Sequence, residues 1–124
     1  MKRDMDLIRR ILLYAEENIG GGDTHLNVTT EDIKAESRKQ LYGHIKLLSD
    51  SGYLDGAAGA IGAVGMRGLT MSGHDLLDQV RDPEIWAATK DTARKAGGFS
   101  ISLLGEIAKG LIRTKIEQHT GVEL

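Results

Sequence analysis

The 124-residue sequence contains no cysteine, a single proline and few aromatic residues. The absence of cysteine excludes disulfides, thiol catalysis and zinc sites with cysteine ligands, and it is compatible with a reducing compartment. The chain also lacks a run of about 18 apolar residues, the length that a membrane-spanning helix requires. Its first ten residues are charged where a signal peptide would be apolar. We therefore expect a cytoplasmic protein with no membrane partner.

Charge of one sign does not dominate, since the net charge is −2. This value predicts no general attraction to nucleic acid. The local balance is different, because four basic residues and one acidic residue lie between positions 34 and 46. The first ten residues hold four basic and two acidic side chains. These two segments are compatible with a nucleic-acid surface.

Helical periodicity predicts a helix over about residues 3–18 that ends at the glycines 20–22. Thr29 or Thr30 is a candidate N-cap for a second helix, and a break near residues 35–37 is expected. Ser37 is then a candidate cap for a helix that runs to about Asp50 and ends at Ser51-Gly52.

Three further helices are predicted in the second half of the chain. Ser72 and Asp75 have the spacing of a capping box. Asp82-Pro83-Glu84 has the features of a helix start, and the inner face of that helix holds Ile85, Trp86, Thr89 and Ala93. We expect this helix to end at Gly97-Gly98. Ser100 can cap the last helix, which we expect to fray beyond His119.

The helix that ends near Asp50 and the helix that begins near Ser72 are separated by DGAAGAIGAVGMRG, residues 55–68. Glycine occupies every third position of this segment from 56 to 68. The segment lacks the lysine of a phosphate-binding GxxxxGK[ST] loop and the spacing of GxGxxG. It contains no proline, which argues against a triple helix. We interpret it as a hairpin that pairs at its two ends and is poorly ordered in the middle, with a returning strand at Met66–Met71.

The sequence therefore predicts a mainly α fold with a small β-hairpin. Residues 1–82 are interpreted as a winged helix-turn-helix domain, and residues 83–124 as a helical C-terminal extension packed on it in a single compact unit. Residues 38–51 take the place of the recognition helix, and the glycine stretch takes the place of the wing.

DNA contacts are predicted from the side of the recognition helix that faces away from its apolar stripe. At 100° per residue this side holds Lys39, Gly43, Lys46 and Asp50, with Arg38 and Gln40 at its edges. Lysines could meet phosphates, Gln40 an adenine edge, and Arg38 a guanine or a phosphate. Arg67 is the candidate contact in the wing. The alternative is a solvated face with ordinary lysines, and the sequence leaves both interpretations open.

No complete catalytic constellation is visible. His74, Asp75 and Asp78 resemble the start of a metal-dependent phosphohydrolase site, but His25, His44 and His119 do not complete a ligand set. We interpret Asp75 as part of a cap, His74 and Asp78 as surface residues, and His44 as semi-buried. We expect no enzyme activity, no cofactor and no metal.

The last helix carries more apolar residues than one core-facing stripe needs, among them Ile101, Leu104, Leu111 and Ile116. Core packing explains this surface, and a homodimer or partner interface is the alternative.

Three segments, MKRDMDLIRRILL, GHIKLLSDSGYL and LTMSGHDLLDQVRDPEIW, resemble an uncharacterised family of small bacterial and phage proteins, a domain of unknown function. The resemblance implies a winged-helix fold with a helical extension and no established activity. We expect a regulatory protein that binds double-stranded DNA. The alternative is a protein–protein interaction module that kept the fold without DNA affinity.

Overall fold

The computed structural model describes residues 2–19, 26–57, 64–97 and 100–121. The elements in these ranges are α1 (Met5–Asn18), β1 (Leu26–Val28), α2 (Thr30–Ile33), α3 (Arg38–Asp50), β2 (Leu54–Ala57), β3 (Val64–Leu69), α4 (Met71–Val80), α5 (Pro83–Ala96) and α6 (Ile101–Thr120). The predicted fold class, mainly α with a small β-hairpin, is confirmed, and β1 adds a third strand to the hairpin.

The chain divides into two compact units, Met1–Leu77 and Asp78–Leu124, and α4 crosses the division. The predicted boundary at residue 82 and the packing of the extension on the first domain stay predictions.

In the first unit, β3 lies between β1 and β2 and pairs with both in the antiparallel sense. Met66 is paired with Leu26, and Leu69 with Leu54. Helices α1 and α3 pack against each other and against this sheet. The fully buried side chains that join these layers include Leu7, Ile11, Leu12, Leu41, Leu48, Leu54 and Met66.

Several sequence predictions for the first unit are confirmed. Thr29 and Asp32 form a reciprocal capping box on α2, and Ser37 caps α3 by accepting a hydrogen bond from the Gln40 N–H. Helix α3 ends at Asp50, followed by Gly52 with a φ of +83°. The glycine stretch pairs at its two ends, as β2 and β3. Its middle, residues 58–63, and the predicted stop at 20–22 lie outside the described residues.

The capping box predicted for Ser72 and Asp75 is wrong. Helix α4 begins at Met71, so Ser72 already lies inside it. The hydroxyl of Thr70 takes the capping role, because its Oγ1 accepts from the Gly73 N–H at 3.1 Å and donates to the Gly52 carbonyl. The returning strand also ends earlier than predicted, at Leu69.

Gly73 makes the first turn of α4 possible. A Cβ at this position would lie 1.9 Å from the carbonyl oxygen of Tyr53, far inside van der Waals contact. The same carbonyl accepts a hydrogen bond from the Thr70 N–H at 3.3 Å. Thr70 and Gly73 therefore dock α4 directly onto the backbone that follows α3.

In the second unit, α5 and α6 pack against each other. Asp82 caps α5 through bonds from the Glu84 and Ile85 N–H groups, and Pro83 is its first residue. The bond from Ile85 is the largest cause that holds the pKa of Asp82 below its usual value, and the nearby Lys115 contributes.

The predicted inner face of α5 is confirmed, since all four of its residues are buried. Gly97 ends this helix in the left-handed region, while Gly98 lies outside the described residues. Ser100 caps α6, which runs to Thr120. Among the described helices, none is both long enough and apolar enough to cross a membrane.

Candidate nucleic-acid interface

The outer face of α3 follows from the residues that the helix buries. Leu41, His44, Ile45 and Leu48 point into the core. Because an α-helix turns about 100° per residue, the opposite side is left to solvent. This outer face is formed by Arg38, Lys39, Tyr42, Gly43, Lys46, Leu47 and Asp50.

The N-terminal turn of α3 carries its free positive charge. Arg38 and Lys39 are exposed, and in the described part of the chain neither has a hydrogen-bonding or ion-pair partner for its side chain. The first turn contains no acidic residue. Lys34, in the left-handed region with a φ of 59°, ends α2 just before this turn and is also exposed. Arg38 and Lys39 lie at the positive end of the α3 dipole, a favourable place for an anion such as phosphate.

Gln40 is engaged at the same helix start. Its Oε1 accepts from the Glu36 N–H at 3.1 Å, while its own N–H donates to the Ser37 hydroxyl at 3.1 Å. A glutamine reads adenine with both its oxygen and its nitrogen. The predicted contact to adenine therefore requires the bond with Glu36 to break.

In the C-terminal half of α3, the positive charge of Lys46 is paired with a carboxylate. Lys46 forms an ion pair with Asp50 at 2.6 Å, and this hydrogen bond is the largest cause that raises the pKa of Lys46. Gly43 is half-buried on the same side. Lys46 thus remains charged, but Asp50 offsets its field toward any approaching phosphate.

Two apolar side chains on α3 were missed by sequence reasoning. Tyr42 is 52% exposed and Leu47 is 39% exposed. The sequence could have indicated this exposure, since both residues fall outside the apolar stripe of Leu41, Ile45 and Leu48 on a helix with 100° per residue. An aromatic ring between basic side chains can contact a sugar or a base edge, and it can equally anchor a protein partner.

His44 is fully buried, and both of its ring nitrogens are hydrogen-bonded. Nδ1 lies 2.7 Å from the carbonyl oxygen of Gln40, and Nε2 lies 2.8 Å from the backbone nitrogen of Asp4. Since a carbonyl only accepts and a backbone N–H only donates, the ring is neutral with its proton on Nδ1. The sequence predicted a semi-buried histidine, and the structure buries it completely.

Arg67 belongs to β3, whereas the other predicted DNA-binding residues belong to α3. It is exposed on β3 and lines a cleft of about 240 Å³. The cleft is lined by Ala15, Glu16, Ile19, Asp55, Arg67, Gly68, Leu69 and His74, and none of these residues belongs to α3. The structure therefore groups Arg38, Lys39, Gln40, Gly43 and Lys46 on one helix and places Arg67 among residues of α1, β2, β3 and α4.

The residues considered for metal chemistry do not form a site in the described part of the chain, where no group of three or more histidine, cysteine, aspartate or glutamate residues could hold an ion. His74 and Asp78 are exposed, as predicted. Nδ1 of His74 lies 3.9 Å from Glu16, and Asp78 pairs with Arg81 at 2.8 Å. His25 lies outside the described residues.

Comparison with known proteins assigns the chain to a family. A family profile with the description "Hypothetical protein (DUF2513)" matches residues 2–100, and the chain belongs to this family. The matched region reaches from the residue after Met1 to the cap of α6. An uncharacterised protein of Haemophilus influenzae is 28% identical over 116 residues, which cover 90% of this chain and 96% of that protein. No solved structure matches the chain significantly.

Proposed function

We propose that this member of the family is a non-enzymatic winged-helix protein that binds double-stranded DNA in the cytoplasm and acts in regulation. Helix α3 is the recognition helix in this proposal. Its first turn enters the major groove, with Arg38 and Lys39 as the principal contacts. Gln40, Gly43 and Lys46 lie along the same helix and contribute less.

The order of elements in the first unit supports the proposal. A helix, a strand, two helices and two strands follow one another, and the last strand lies between the other two. A tight turn separates α2 from α3, as in a helix-turn-helix motif. In this arrangement the β2–β3 hairpin occupies the place of the wing.

The observation that carries the proposal is the charge of the first turn of α3. Arg38 and Lys39 are exposed at a helix N-terminus that contains no acid. Recognition helices contact base edges with their N-terminal residues. The acidic residue Asp50 lies at the other end, about 18 Å away along a helix that rises 1.5 Å per residue, so it does not oppose this docking.

We further propose a homodimer that forms through α6. Leu111 and Ile112 are only half-buried, and Ile116 is 41% exposed. Ile112 and Ile116 are four positions apart and share one side of the helix, and Leu111 borders that side. A second copy of the chain would cover this apolar surface, and a dimer would present two α3 helices to one duplex.

The test is fluorescence anisotropy of a labelled mixed-sequence duplex at several salt concentrations. Wild-type protein is compared with Arg38→Gln/Lys39→Gln and with Arg94→Gln/Lys95→Gln, a control that removes an adjacent Arg-Lys pair from the end of α5. We expect salt-dependent binding, about tenfold weaker for the α3 variant and unchanged for the control, since phosphate contacts set affinity and its salt dependence. Absence of binding by folded wild-type protein at low salt would refute the proposal.

The second candidate function is a protein–protein interaction module. It is favoured by the exposure of Tyr42 and Leu47 and by the Lys46–Asp50 ion pair, which reduces the positive field of the same face. Exposed aromatic residues are frequent anchors of protein interfaces. Equal loss of affinity in the α3 variant and in the α5 control would indicate non-specific attraction and favour this alternative.

A further inference from the structure

We infer that Lys2 and Arg3 form an N-terminal arm that contacts the DNA backbone beside α3, and that His44 positions this arm. The inference rests on the proposed function, because it assigns a second contact to the same surface. It concerns residues outside the predicted set, which was limited to α3 and the hairpin.

The hydrogen bond between the Asp4 N–H and Nε2 of His44 joins the arm to α3. The bond is 2.8 Å long and connects residues 40 positions apart in the chain. Because Nδ1 donates to the Gln40 carbonyl, the ring is held in the tautomer that leaves Nε2 as an acceptor. His44 is completely buried, so its ring is a fixed attachment point on the recognition helix.

Asp4 is fixed from a second side, because its carboxylate caps α1 by accepting from the Leu7 N–H at 3.2 Å. Its φ of −115° and ψ of 107° are those of extended chain. The carbonyl carbon of Arg3 is bonded to the Asp4 nitrogen that donates to His44, and the Cα of Lys2 is about 3.8 Å from that of Arg3. Both side chains are exposed and, in the described part of the chain, have no partner.

The other two basic residues of the N-terminal segment are engaged within the protein. Nε of Arg10 donates to the Ile33 carbonyl at 3.0 Å, and its Nη2 donates to the Lys34 carbonyl at 3.4 Å. Arg9 also has an intramolecular interaction. Lys2 and Arg3 are therefore the basic side chains of this segment that are available to an anionic ligand.

On the helical projection, His44 lies next to the edge of α3 formed by Gln40 and Leu47. The arm therefore borders the outer face on that side, while Arg38 lies at the opposite edge. A duplex that receives the first turn of α3 in its groove presents the flanking phosphates to both edges. Short basic arms of this kind contact DNA beside a recognition helix in other folds.

The charge test uses Lys2→Gln/Arg3→Gln in the same anisotropy titration, with Arg94→Gln/Lys95→Gln as the control. Two lost phosphate contacts should reduce the slope of log affinity against log salt by about 1.8. We expect this reduction in the arm variant and no change in the control. If wild-type protein and the Arg38/Lys39 variant behave as proposed but the arm variant keeps the wild-type slope, the arm is refuted and the proposed function is not.

The positioning role of His44 is tested with two substitutions. Gln at position 44 can keep an acceptor near the place of Nε2, whereas Leu removes it. We expect His44→Gln to retain most of the wild-type salt slope. We expect His44→Leu to reproduce the slope of the arm variant, with no further reduction when the two are combined. An additive reduction in the combined variant would overturn the positioning role, and circular dichroism establishes that each variant is folded.

Discussion

Helices α3 and α4 both begin after a hydroxyl cap, but their first turns face different surroundings. After Ser37, the first turn of α3 exposes Arg38 and Lys39 to solvent. After Thr70, the first turn of α4 is pressed against the Tyr53 carbonyl, so that Gly73 has no room for a side chain. The segment LTMSGHD, residues 69–75, is explained by the packing of α4. The segment SRKQ, residues 37–40, provides the candidate functional surface.

The largest effect is expected for Gly73→Ala. The added methyl group would overlap the Tyr53 carbonyl, and α4 would have to move away from the backbone after α3. We expect a loss of about 3 kcal/mol or more in the free energy of unfolding, measured by chemical denaturation.

Gly110→Ala is the matched control, because this glycine is also helical but a Cβ there meets nothing within 4 Å. It should raise stability by up to about 1 kcal/mol. Equal effects of the two substitutions would contradict the close contact at α4.

The caps of α3 and α4 should also differ in how much they contribute to the free energy of unfolding. Thr70→Val removes both the cap on Gly73 and the hydrogen bond to the Gly52 carbonyl, at a cost of about 2 kcal/mol in the free energy of unfolding. Ser37→Ala removes an exposed cap and should cost about 1 kcal/mol. Thermal denaturation of the two variants side by side measures the difference. A larger loss of stability for Ser37→Ala than for Thr70→Val would contradict the greater contribution assigned to Thr70.

The smallest expected effect is a gain of affinity for DNA in Asp50→Asn. The substitution frees Lys46 from its ion pair and removes a negative charge from the outer face of α3. We expect binding about threefold tighter at low salt, because both changes favour phosphate. Asp91→Asn is the control, since Asp91 pairs with Lys95 at the same i,i+4 spacing on α5. An equal gain in the control would show that net charge alone governs binding.

Much of the first unit could be predicted because its signals are local. The caps at Thr29 and Ser37, the stop at Gly52 and the buried stripe of α3 each depend on residues within a few positions of one another. Such local patterns of periodicity, caps and glycines also predicted the mainly α class and the pairing of the two ends of the glycine-rich segment.

The features that the sequence did not predict depend on contacts between distant segments. The role of Gly73 arises from Tyr53, twenty positions earlier, and the role of His44 arises from Asp4, 40 positions earlier. Asp75 was assigned to a cap because its spacing from Ser72 fits, but the longer-range bonds of Thr70 determine where α4 begins. Arg67 was predicted to contact DNA from the wing, but hairpin topology alone does not show that residues of α1 and α4 also line its surroundings.

The DNA-binding surface is tested most directly by the change in backbone amide chemical shifts of isotope-labelled protein when a short DNA duplex is added. We predict that the largest changes fall on residues 2–4 and 38–46, with little change around Arg67 and on α5. Changes centred on Arg67 and the adjoining residues of α1 and α4, or no changes with folded protein at low salt, would contradict the assignment of the DNA-binding surface to α3.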